Sequence, residues 1–164
     1  MTADVASTLG LLTEFYTEKL ASVTQHEAHA RRVTQYDANN TYQYIINREE
    51  VQLGWLAKAI ADAGGPVPAS AAAPEAASKG KGAVQALFEE DIRSAQAFLD
   101  RWRPRVEAMD HARHRAMLRV ILGETREQQR FFEQALAGRT DLLGRRSSVA
   151  GPAQGDVLPV RWIE

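Results

Sequence analysis

The side chains best suited to chemistry are carboxylates, histidines and one lysine, set at helical spacing. Glu49, Asp91 and Glu124 are the acids that could converge. Oxygen donors of this kind suit hard cations, and one or two such ions held through oxygen alone would be the chemistry to expect of them. Lys19 offers the opposite possibility, an ammonium that supplies the positive charge itself. Two histidine pairs, His26 with His29 and His111 with His114, sit three residues apart. Each pair could chelate a metal, but neither has the four-residue spacing with an intervening Glu of zinc proteases. Surface or capping roles are the expectation for both, and His26 with Glu18 is the combination to examine. The chain has no cysteine, which removes disulfides, thiolate zinc sites, iron–sulfur clusters and Cys nucleophiles together.

These residues need elements to carry them, and the period of the apolar residues is helical throughout. Four long helices are expected, over 3–34, 40–63, 83–108 and from a cap at Asp110 to about Gly138. Asp37, Asn39 and Asn40 supply the first break, and Gly64-Gly65-Pro66 stops the second helix. Pro104 should kink the third helix or begin its end. The stretch 64–82 is rich in Pro, Ala, Gly and Ser, with almost nothing to bury. A helix of this size is about 39 Å long, and such a linker near polyproline geometry reaches about 59 Å. Short, long and short connections give an all-α four-helix bundle with one long crossover between the second and third helices. The expected domain is 1–140, with 141–164 as an irregular tail.

On helical wheels every apolar stripe contains a polar group. Lys19 and His26 fall within the arc of Leu12, Phe15 and Val23, with Glu18 at its edge. Glu49 lies amid Ile45, Ile46 and Leu56, flanked by Gln52. Asp91 lies amid Leu87, Phe88 and Phe98. Glu124, Gln128 and His114 share the face of Met117, Ile121 and Phe131. Charged groups in a core are costly unless paired or metal-bound. The expectation is a polar centre of Lys19, His26, Glu49, Gln52, Asp91, His114, Glu124 and Gln128, where Glu49, Asp91 and Glu124 meet and Lys19 balances them.

Four helices, one crossover and a central acid per helix resemble the ferritin-like superfamily, in the rubrerythrin-like style. Residues 48–60, REEVQLGWLAKAI, are similar to the second-helix motif of such proteins, and 124–136, ETREQQRFFEQAL, to its repeat in the fourth helix. The resemblance spans about residues 5–138. It implies a di-iron centre with Glu-x-x-His on the second and fourth helices, and would make Glu18, Glu49, Asp91, Glu124 and Glu127 the metal ligands. Counted from Glu49 and Glu124, Gln52 and Glu127 stand three later; with Trp55 aligned on Phe131, Gln52 and Gln128 occupy the two histidine positions. Glutamine is a weaker ligand than imidazole for iron.

The sequence has 164 residues, 45% apolar and 25% charged, which fits one globular domain and excludes a disordered or fibrous chain. The net charge of −1 argues against a nucleic-acid or anionic-lipid partner, although Arg101, Arg103, Arg105, Arg113, Arg115 and Arg119 crowd one helix junction. No membrane span and no signal peptide are visible, so a cytoplasmic location is expected. In the tail, Val157, Leu158, Trp162 and Ile163 should dock, against the bundle itself or against a partner. The functional expectation is a non-catalytic, ferritin-like bundle with a degenerate metal site and no favoured cofactor. It would act in assembly or partner binding, as a homo-oligomer or with another protein, through its helices and tail. The alternative is a carboxylate-bridged di-iron oxidoreductase or iron-handling protein.

Overall fold

A computed structural model describes residues 2–69, 83–140 and 142–143. It is all-helical over these residues, with α1 Thr2–Ala30, α2 Tyr36–Asp62, α3 Ala83–Glu107 and α4 Ala112–Leu136. No helix is long and apolar enough to cross a membrane, among the described residues.

The helix ends follow local chemistry that a coarse reading displaces by a few residues. α2 begins at Tyr36, not Asn40, because Asp37 and Asn39 act from inside its first turn. Asp37 brings a carboxylate to the helix N-terminus. Asn39 Nδ2 donates to the carbonyls of Ala30 at 2.8 Å and Val33 at 3.1 Å, and so closes the end of α1. The residues that read as a break are therefore the clasp between two helices. α4 is capped by His111 and not by Asp110: His111 Nδ1 accepts from the backbone N–H of His114 at 3.2 Å. Pro104 lies in the last turn of α3. Gly64 and Gly138 follow α2 and α4 with φ of +80° and +90°, a region glycine enters without penalty.

Contacts in series give the packing. Asn39 meets Ala30, and Gly65 meets Leu9, so α1 and α2 are antiparallel. Glu14 pairs with Arg105, Glu18 with Trp102 and Gln25 with Asp91, so α1 and α3 are antiparallel as well. Gln52 meets Glu124 and Tyr44 meets Phe131 across α2 and α4. Arg119 on Glu107 and Gln129 on Gln96 join α3 to α4.

The core divides into two apolar clusters. One holds Leu12, Phe15, Leu56, Leu99, Trp102 and Leu118. The other holds Val33, Tyr42, Ile45, Leu87, Phe88 and Phe132. Each helix places buried polar residues between them: Lys19 and His26, Glu49 and Gln52, Asp91, then Thr125 and Gln128. Hydrophobic burial at both ends thus encloses a polar middle.

Candidate functional site

The middle of the bundle is a hydrogen-bonded ion network. Lys19 is 1% exposed and Glu49 fully buried, with Lys19 Nζ 2.8 Å from Glu49 Oε1. Lys19 also reaches Thr125 Oγ1 at 3.5 Å and stands 5.6 Å from the centre of the Phe98 ring. His26 Nδ1 lies 2.8 Å from the other oxygen of Glu49. Asp91, also fully buried, is surrounded by donors. Gln25 Nε2 donates to its Oδ1 at 2.8 Å, while His29 Nδ1 at 2.9 Å and the Tyr42 hydroxyl at 2.5 Å meet its Oδ2. His26 Nε2, 3.7 Å from Asp91 Oδ1, links the two carboxylates.

Electrostatics follow from this geometry. Burial raises the Glu49 carboxyl, but the charges of His26 and Lys19 prevail and hold it at about 2. Burial disfavours the His26 imidazolium, and Glu49 beside it outweighs that, leaving His26 above its ordinary value. Asp91 is lowered against its own burial by hydrogen bonding from His29 and by the charge of His26. Burial, together with Asp91, pushes the Tyr42 phenol up.

A pH profile follows. A depressed carboxylate contributes stability above its ordinary value, near 4.5 for Glu49, that is lost as the pH falls toward 2. A raised histidine contributes below its ordinary 6.5, and loses that contribution as the pH climbs through its folded value. The melting temperature should therefore peak between 4.5 and 6.5 and fall on both sides. His26→Gln should flatten the alkaline fall; an alkaline limb identical to wild type would show that His26 is not its source.

Several sequence expectations are corrected. Glu124 is half-buried at the bundle edge, bonded to Arg48 and Gln52, and does not meet Glu49 and Asp91. Glu18 belongs to another cluster: it accepts from Trp102 Nε1 at 2.7 Å and pairs with Arg101 at 2.8 Å, not with His26. Glu127 is exposed. His114 lies outside the network, its ring stacked on His111 at 3.9 Å. His26 and His29 are neither surface residues nor caps. Lys19, His26, Glu49 and Asp91 are brought together, and Gln128 lines the cleft beside them. The reading missed His29, Tyr42, Gln25 and Thr125. A signal existed for two of them: His29 is one turn beyond His26 on the same face, and a buried Tyr42 hydroxyl needs a partner. The arginine patch is largely spent on neighbours. Arg101 and Arg105 pair with Glu14, Arg119 with Glu107, and Arg115 donates to the Met109 carbonyl. Val157, Leu158, Trp162 and Ile163 lie outside the described residues.

A di-iron centre does not fit these residues. Both Glu49 oxygens already face nitrogen groups, one of them the Lys19 ammonium. Among the described residues no three His, Asp or Glu side chains are disposed around one ion position. Comparison with protein-family models, with curated proteins and with solved structures finds no match.

Proposed function

We propose that the chain is a ferritin-like bundle in which Lys19 has taken the place of metal, and that it is a non-catalytic scaffold acting by self-association. The observation that carries this reading is Glu49, whose two oxygens face Lys19 and His26, each at 2.8 Å. The crossover is supported by the directions of the helices: α1 is antiparallel to both α2 and α3, so 64–82 has the bundle's length to travel. Its residues 70–82 lie outside the described residues.

Self-association is supported by the outer side of α2. Tyr44, Val51 and Trp55 are exposed there, seven and four residues apart, and so form one stripe. Arg48 lies over the Trp55 ring at 6.0 Å. Exposed apolar stripes of this kind mark contact surfaces. The tail residues Val157, Leu158, Trp162 and Ile163 are proposed as a second contact. A cytoplasmic location accords with this reading.

Protein purified from iron-supplemented cells should contain no stoichiometric iron by elemental analysis, and added ferrous or manganous ion should leave its melting temperature unchanged. A pair of irons per chain would overturn the lysine-for-metal reading. Light scattering should find an oligomer that Trp55→Glu dissociates. A monomer at all concentrations would overturn the assembly reading.

A further inference from the structure

A cleft of about 250 Å³ leads from solvent to the polar middle of the bundle. Ser22, Gln25, Ser94 and Arg101 stand toward its mouth, and Lys19, Glu49, Thr125 and Gln128 line its depth. Phe98 and Phe132 give it two aromatic walls.

Two groups there have hydrogen-bonding capacity that no side chain takes up, among the described residues. Gln128 is 4% exposed, and among the described residues its amide makes no hydrogen bond. Its polar atoms open onto the cleft, where nothing in the packing calls for an amide rather than a leucine. Lys19 carries three N–H groups, and only Glu49 and Thr125 accept from it among the described residues. The unused bonds of both residues belong to the same cleft.

The lining also selects the ligand's charge. Glu18 and Glu49, with Asp91 behind His26, are matched by Lys19, Arg101 and the His26 imidazolium, so the formal charges already cancel. An added anion would bring an unbalanced charge beside two carboxylates, which is expensive in a part-buried site. An uncharged molecule avoids that cost. A carboxamide also matches Gln128 atom for atom, since each amide can donate to the other's carbonyl. For scale, a cavity of roughly 150 Å³ accommodates benzene.

We propose that this cleft binds a small uncharged carboxamide: its carbonyl oxygen accepts from Lys19 and Gln128, its N–H donates to the Gln128 carbonyl, and its apolar body lies between Phe98 and Phe132. The proposal goes beyond the scaffold reading and does not depend on it.

Benzamide and benzoate form the test pair, equal in size and different in charge, titrated into the full chain by calorimetry. Benzamide should bind with a submillimolar Kd, and benzoate more weakly. Gln128→Leu should weaken benzamide by about tenfold or more while leaving the melting temperature equal or higher, a combination a structural role for Gln128 does not give. Absent benzamide binding, benzoate binding as tight as benzamide, or an unchanged Kd in Gln128→Leu would each overturn the proposal. Should Gln128→Leu fail to fold, Ala95→Leu fills the same cleft from α3, and unchanged benzamide affinity in that variant overturns the proposal equally.

Discussion

Replacing Lys19 by methionine is expected to destabilise the fold by about 3–5 kcal/mol, the cost of leaving a buried charge without its partner. For a chain of this size that is a fall of roughly 10 °C in melting temperature. Methionine nearly conserves the volume, so the loss is one of charge and not of packing. Glu49 keeps His26 at 2.8 Å, but its Oε1 loses Lys19 at the same distance, and the Glu49 side chain is itself fully buried. Urea unfolding at pH 6 measures the effect. The double variant Lys19→Met with Glu49→Gln should recover more than half of the loss, because it removes the stranded charge as well as its partner. A single-variant loss below about 1 kcal/mol would mean that the ammonium does not stabilise Glu49. A double variant no better than the single one would assign the loss to packing.

The four helices and the placement of Lys19, Glu49 and Asp91 were legible because each interrupts an otherwise apolar stripe, and a stripe is a strong signal over several turns. Glu124 shows the limit of the same argument. It shares a wheel face with Ile121 and Phe131, yet Arg48, a residue on the neighbouring helix, draws its carboxylate to the edge. A wheel places a Cβ and cannot say which way a long side chain leans. His29 was missed for the opposite reason. Near the end of α1 it reads as a capping or surface residue, and only Asp91, distant in sequence, gives it a reason to be buried. The boundary at Asn39 was misread because a turn-forming residue inside a first turn carries the same local signal as one before it. The shared polar middle is a tertiary property, and its members were visible singly before their pairing was.

Asp91 carries the second large effect. Three donors from two helices end on it: Gln25 and His29 from α1 and Tyr42 from α2. Asp91→Leu should cost about 3–5 kcal/mol, since it removes the acceptor for groups that stay buried and removes a carboxylate facing His26 and His29. Asp91→Asn keeps the shape and one acceptor oxygen, but its NH₂ faces donors. It should lose less, about 1.5–3 kcal/mol, the value of hydrogen bonds to a charged group. The order of the two variants is the informative result. If leucine were tolerated as well as asparagine, the apolar neighbours Leu87 and Phe88 would be setting this position and the network would be incidental. If asparagine alone were tolerated, hydrogen bonding would matter and charge would not. Adding Tyr42→Phe to Asp91→Leu decides between them: with the hydroxyl gone, one buried donor no longer seeks the missing carboxylate, and the double variant should be more stable than Asp91→Leu by about 1–3 kcal/mol. The same Tyr42→Phe change in the wild type should destabilise, because it leaves Asp91 with one donor fewer. That reversal of sign is what a bond between the two side chains demands, and packing alone does not produce it.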